Sequence, residues 1–195
     1  MKITSVILAA GQGTRMNSDL PKVLHPVCGV PMIEYVLRAA RDASSEVPVV
    51  VIGHGAEPVR EYLSATARCV VQDPQLGTGH AVQQAESTLR GKTDLVLVAY
   101  ADMPLLRPAT LQRLVETQKV SKGPLTMLTV NSAEPRGFGR VVRGPDGSVQ
   151  AIVELTSPTT TTVALFGTYQ LRYHSRASSA VMFSKSFINP TTGRP

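Results

Sequence analysis

An α/β fold, with a mainly parallel sheet flanked by helices, is what this 195-residue sequence predicts, and three observations carry the prediction. Near-continuous apolar runs, above all Ile3 to Ala10 and Leu95 to Tyr100, have the length and content of strands buried on both faces. Segments with helical apolar stripes alternate with them through the first two-thirds of the chain. The first run also ends abruptly in a glycine-rich turn, Gly11-Gln12-Gly13.

Taken in order, the elements support that class. After the turn, Pro31 stands where a helix can begin, and Met32, Val36, Leu37 and Ala40 form an apolar stripe. Val47 to Ile52 is a β-branched run broken by Gly53-His54-Gly55. Val59, Tyr62 and Leu63 predict a second helix, and Cys69-Val70-Val71 a short strand. Gly79 to Leu89 reads as one helix, followed by the strand Leu95 to Tyr100. Leu111, Leu114 and Val115 mark a helix after Pro108, and Leu125 to Val130 a further strand. From Gly139 the pattern shifts to shorter β segments, Arg140 to Arg143 and Val149 to Val153, with a turn at Pro145-Asp146-Gly147. At Thr156 the composition becomes Ser/Thr-rich, and Val163 to Tyr173 reads as one more strand or hairpin. Residues 1–155 are therefore expected to form the functional domain, and 156–195 a divergent, partly disordered segment.

Charge and composition narrow the function. The net charge is +6, but residues 1–155 hold 16 basic against 14 acidic residues, so the excess sits mostly in the last forty. With no Trp and nine Phe and Tyr, a platform for stacking bases is poorly supplied, and nucleic acid is not an expected partner. No window approaches eighteen apolar residues and no secretory pattern opens the chain, so a cytoplasmic protein with no membrane partner is expected. Cys28 and Cys69 lack metal-like spacing and are expected to be buried thiols.

The chemistry is expected where the first strand ends. Backbone N–H groups exposed in a Gly-rich turn, next to fixed cations, suit phosphate oxygens. In the ordered set Leu8-Ala9-Ala10-Gly11-x-Gly13-Thr14-Arg15, small residues let a nucleotide approach the backbone. Arg15 can grip phosphate in a fork, and Lys22 supplies a compact charge. No third Gly and no Gly-Lys-Ser/Thr follow, so neither the dinucleotide nor the P-loop fingerprint fits. Gln72 offers the donor and acceptor that a pyrimidine edge requires, although Leu76-Gly77-Thr78-Gly79 alone is equally a surface turn entering a helix. Asp102, just past a strand, is either a helix cap or a carboxylate holding Mg²⁺ against a triphosphate. His25, His54 and His80 share no metal-ligand spacing and read as structural.

Together these motifs resemble the nucleotidyltransferases that join an NTP to a sugar 1-phosphate. The likeness is greatest to the uridyltransferase domain of the bifunctional N-acetylglucosamine-1-phosphate uridyltransferase/glucosamine-1-phosphate acetyltransferases. It rests on L-A-A-G-Q-G-T-R-M-x-S-D-L-P-K-V-L-H, V-I-G-H-G, Gln72-x-x-x-Leu76-Gly77-Thr78-Gly79-His80-Ala81 and Tyr100-Ala101-Asp102-Met103-Pro104-Leu105. Gly137-Phe138-Gly139-Arg140 and Ile152-Val153-Glu154 complete it, so the likeness covers roughly residues 3–155. The resemblance implies a Rossmann-like nucleotidyltransferase fold that transfers UMP from UTP to N-acetylglucosamine 1-phosphate, with Mg²⁺ as cofactor. It places Leu8, Ala9, Ala10, Gly11, Gly13, Gln72, Gly77 and Thr78 on the nucleotide and Tyr100, Gly139 and Glu154 on the amino sugar. Arg15, Lys22 and Asp102 would be catalytic, with Asp102 on the metal. Ala101 departs from the family's Gly and adds a methyl beside the nucleotide. Past Glu154 the family's sugar-binding Asn has only the displaced Ile188-Asn189 as a counterpart, and its second metal-binding Asn has none; the acetyltransferase β-helix, on which the family's trimers depend, is also missing, which implies a monomer or weak homo-oligomer. The alternatives are a nucleotide-binding module with little turnover, or a transferase for another sugar 1-phosphate.

Overall fold

The computed structural model describes residues 1–11, 13, 16–53, 56–124, 126–131, 140–153, 162–164, 170–173 and 176–181. Its main sheet starts from β1 (Ile3–Ala9), in which every residue is buried. β4 (Val49–Gly53) pairs parallel with β1 on one side, and β5 (Arg68–Gln72) pairs parallel with β4 beyond it. β6 (Leu95–Tyr100) lies parallel on the other side of β1, and β12 (Arg176–Val181) lies parallel to β6. β11 (Gln170–Tyr173) closes the order β11-β12-β6-β1-β4-β5 and is the antiparallel member. The runs Ile3–Ala9, Val49–Gly53 and Leu95–Tyr100 are apolar almost throughout because strands at the centre of such a sheet face helices on both sides. The expected α/β class with a mainly parallel sheet is therefore the observed one.

α1 (Met32–Arg41) begins directly after Pro31 and buries Ile33, Val36, Leu37, Ala39 and Ala40. On its outer face Arg38 and Arg41 reach back to Glu34 at 3.0 and 3.3 Å, an acid in the first turn and bases in the last, as the helix dipole favours. α2 (Glu57–Leu63) buries Val59 and Leu63, but Tyr62 is exposed, so this helix presents a narrower apolar stripe than its sequence suggests. Gly79 to Leu89 is two helices rather than one, α3 (Thr78–Gln84) and α4 (Glu86–Leu89). They are divided at Ala85, whose N–H turns back to the Val82 carbonyl at 3.0 Å. α5 (Pro108–Val120) buries Leu111, Leu114, Val115 and Gln118. The buried Gln118 amide is satisfied on both atoms. It donates to the Gly123 carbonyl at 2.9 Å and accepts from Thr126 Oγ1 at 2.7 Å, which ties down the chain after the helix.

Two strands, β2 (Pro26–Val27) and β3 (Val30–Pro31), make a small antiparallel hairpin before α1. A second, antiparallel sheet has the order β7-β10-β8-β9, built from β7 (Thr129–Asn131), β8 (Arg140–Arg143), β9 (Val149–Val153) and β10 (Thr162–Ala164). The strand expected from Leu125 is thus reduced to Thr129–Asn131, with Leu125 itself outside the described residues. The turn at Pro145-Asp146-Gly147 forms as expected. Asp146 Oδ1 accepts from the Ser148 hydroxyl and N–H at 2.7 and 3.1 Å, and these bonds hold its carboxyl below the usual range. No helix among the described residues is long and apolar enough to cross a membrane.

The thiols differ from expectation. Both cysteines are free, yet Cys28 is exposed in the β2–β3 turn, with φ +48°, and Cys69 is half-buried on β5. Burial pushes the Cys69 thiol up, partly opposed by Arg60 and reinforced by Glu57. A disulfide-exchange reagent at pH 8 should therefore label Cys28 about tenfold faster than Cys69. Two kinetic phases, the fast one absent in a Cys28→Ser variant, are the expected trace, and a single slow phase would contradict it.

Candidate nucleotide site

The strand order changes direction at β1. From β1 the chain steps outward to β4 and β5, then returns to the opposite flank as β6. The loops after β1 and β6 must diverge there, and they leave a crevice at the carboxyl ends of the two strands. The Gly turn follows β1 and Asp102 follows β6, so topology alone brings both to this crevice. Leu8 pairs with Tyr100 in register, and the Ala101 N–H donates to the Leu8 carbonyl at 3.0 Å.

Lys22 and Asp102, eighty residues apart in sequence, meet here. Lys22 Nζ donates to Asp102 Oδ2 at 2.5 Å, with each side chain about one-third exposed (32% and 35%). α5 begins six residues later, its N-cap position is Arg107, and no side chain caps it, so Asp102 is not a helix cap. Gly13 explains how Lys22 gets there. It has φ +63°, and a Cβ on it would lie 2.6 Å from the Lys22 Cβ, so the turn lets the lysine cross directly over its backbone. The turn is closed by the Met16 N–H on the Gly13 carbonyl at 2.8 Å.

Leu8, Ala9 and Ala10 are buried in the core, so what they present to a ligand is backbone. Gly11 is exposed, with open space where a side chain would stand. Ala101, read from the sequence as a methyl beside the nucleotide, is fully buried in the core cluster. Thr78 Oγ1 lies 3.4 Å from the Tyr100 hydroxyl, which joins the start of α3 to the end of β6. Gln72, 3% exposed, ends β5, and its amide nitrogen donates to the Gly77 carbonyl at 2.9 Å. Arg15, Gly139 and Glu154 lie outside the described residues.

Two contributors were not singled out from the sequence. Gln75 donates its amide to the Ala10 carbonyl at 2.6 Å and so ties the loop before α3 to the end of β1. Gly53, read only as the end of a strand run, is the point over which that side chain passes. His80 and His25, both read as structural, are each partnered: His80 lies 3.3 Å from the Gln72 amide nitrogen and His25 3.1 Å from the Leu20 carbonyl. His54 is outside the described residues. The V-I-G-H-G motif held Gly53, but the crossing of Gln75 to Ala10 joins residues 65 apart and could not be read there.

The donor set bears on a cation. No group of three or more His, Cys, Asp or Glu among the described residues is placed to enclose a metal. A single carboxylate about one-third exposed can supply one ligand to a divalent cation that keeps much of its water and is completed by substrate phosphates.

The family model for MobA-like NTP transferase domains matches residues 5–174. Among curated proteins, the bifunctional protein GlmU of Pseudomonas entomophila is 54% identical over 155 residues, which is 79% of this chain and 33% of the relative. The chain therefore spans about one-third of that relative's length. Among solved structures, UDP-glucose pyrophosphorylase complexed with UDP-glucose superposes with a TM-score of 0.67 at 19% identity, covering 84% of this chain and 74% of that one. A Mycobacterium tuberculosis protein solved with manganese superposes with a TM-score of 0.54 at 23% identity, covering 65% and 64%. At such identities these two structures establish the fold.

Proposed function

Because the chain belongs to the family of MobA-like NTP transferase domains, we propose that it transfers UMP from UTP to N-acetylglucosamine 1-phosphate, giving UDP-N-acetylglucosamine and pyrophosphate. The observation that carries this reading is the meeting of Lys22 and Asp102 beside the Gly turn, at the point where such sheets bind their ligands. In the reaction an oxygen of the sugar phosphate forms a bond to the α-phosphorus. The bond from that phosphorus to the oxygen bridging to the β-phosphate breaks, and pyrophosphate leaves with the electron pair. No side chain needs to act as nucleophile, so catalysis is alignment and compensation of charge.

The residues divide that work. The turn at Gly11 and Gly13 faces the triphosphate, Lys22 offsets its charge, and Arg15 is assigned the same task. Gln72, Gly77 and Thr78 take the uracil and ribose, and Tyr100, Gly139 and Glu154 take the amino sugar. Mg²⁺, when bound, supplies neutralisation of the phosphate oxygens, and Asp102 is the residue that would hold it. An arriving triphosphate competes with Asp102 for Lys22 and so frees the carboxylate as it binds. The product, a nucleotide-activated amino sugar, suits cell-envelope precursor synthesis.

The test is pyrophosphate release by the whole chain with UTP, Mg²⁺ and N-acetylglucosamine 1-phosphate. Turnover that requires all three is the expected result. Saturable UTP binding with no release makes the protein a nucleotide-binding module and overturns the enzyme reading.

A further inference from the structure

The carboxyl ends of β1, β4 and β5 stand side by side at one edge of the sheet. Ala9 of β1 pairs with Ile52 of β4, and Gly53, the next residue of β4, pairs with Gln72 of β5. Ala10 follows Ala9, so the end of β4 separates it from Gln72, and neighbouring strands lie about 4.8 Å apart. The 73–77 loop leaves from β5 and is nonetheless bonded to the end of β1. Gln75 Nε2 donates to the Ala10 carbonyl at 2.6 Å. A carbonyl only accepts, so it is the nitrogen of this amide that must face it. The bond passes directly over Gly53, where a Cβ would lie 2.6 Å from that nitrogen and 2.9 Å from the Ala10 oxygen. The lack of a side chain at Gly53 keeps this path open. The loop is also closed on itself. Gln72 Nε2 donates to the Gly77 carbonyl at 2.9 Å, and the Leu76 N–H to the Pro74 carbonyl at 3.0 Å. The loop is therefore a formed unit, and the exposed Gln75 side chain fixes where it stands relative to the turn that starts at Gly11.

We propose that Gln75 is a positioning residue that joins the two halves of the nucleotide site and so selects a nucleoside triphosphate over a bare polyphosphate. The inference rests on the assignment of Gln72, Gly77 and Thr78 to the base and ribose, and of Gly11, Gly13 and Lys22 to the triphosphate. One ligand must reach both groups. With the Gln75 bond made, loop and turn stand at one separation, and a nucleotide meets both ends of its site already in place. Without that bond the loop has to be ordered against the turn as the nucleotide binds, and the ordering cost is taken from the affinity. An inorganic polyphosphate meets the turn alone and is indifferent to the bond. Gln75 acts through the loop and not by contact with the reacting atoms.

The experiment measures dissociation constants of UTP and of inorganic tripolyphosphate, each with Mg²⁺, by calorimetry on the whole chain and its variants. The wild type is expected to bind UTP the more tightly. Gln75→Ala should lower that preference about fivefold, the worth of one net hydrogen bond, with the tripolyphosphate constant unchanged. Gln75→Met covers Gly53 with a side chain of similar length that has no hydrogen to give, and it should lose as much as Gln75→Ala. It carries the test if Gln75→Ala does not fold. An unchanged preference in Gln75→Ala overturns the proposal, whether both ligands hold or both weaken alike; the second case would mark a residue that serves folding only. A wild-type preference in Gln75→Met overturns it too, because filled space and not the bond would then hold the loop. A wild type that binds UTP no more tightly than tripolyphosphate overturns the base assignment beneath it instead.

Discussion

An Asp102→Asn variant should release pyrophosphate at least about a hundredfold more slowly than the wild type, while its melting temperature hardly moves. The two halves of this result have separate causes. Asp102 is the carboxylate placed just past the carboxyl end of β6, paired with Lys22, and the proposed reaction would depend on charge compensation at that point. Its contribution to stability is small. The pair with Lys22 is about one-third exposed on both sides, and pairs in water contribute about 0–1 kcal/mol. For a chain of this size that is a shift of at most about 4 °C. The same variant leaves Lys22 without its partner, so UTP in the absence of metal should bind at least as tightly as to the wild type. Calorimetry alongside the pyrophosphate assay checks both statements. Turnover near the wild-type rate in Asp102→Asn would remove Asp102 from the catalytic set.

A Gly53→Ala variant should lose about 1–3 kcal/mol of stability, seen as a drop of roughly 2–10 °C in melting temperature. The added methyl carbon would lie 2.6 Å from Gln75 Nε2 and 2.9 Å from the Ala10 carbonyl oxygen. The Gln75 amide is the end of a flexible side chain and can swing away, but that breaks its bond to Ala10. The Ala10 oxygen belongs to the backbone just after the central strand and cannot move cheaply. Gln75→Ala alone removes one hydrogen bond and should cost about 1 kcal/mol. The double variant should therefore be little worse than Gly53→Ala, because both act through the same contact. UTP affinity should fall in all three variants, since the clamp holds the base-side loop against the turn. A Gly53→Ala protein melting with the wild type would show that this crossing is looser than its distances.

Comparing these residues shows what was legible beforehand. The central strands were plain because burial on both faces leaves a run such as Val49–Gly53 almost no polar position. β8 and β9, with their turn at Pro145-Asp146-Gly147, were equally plain, since turn residues stand between two short alternating segments. Helix boundaries inside 78–89 were not, because the break at Ala85 is a matter of one backbone bond rather than of any residue that forbids a helix. The position of β12 beside β6 was also hidden, since its sequence, R-A-S-S-A-V, has no apolar run and its pairing depends on a distant strand.

The sequence by itself determined the α/β class, the Gly turn at the end of the first strand and the presence of a cation and a carboxylate suited to a triphosphate. These are local properties: periodicity, turn chemistry and residue type recur within a few positions. Only the tertiary structure decided that Lys22 closes on Asp102 and that Gln75 reaches Ala10 across Gly53. Each of those depends on which strand lies next to β1, and strand order is settled by packing over the whole sheet rather than by any stretch of the chain.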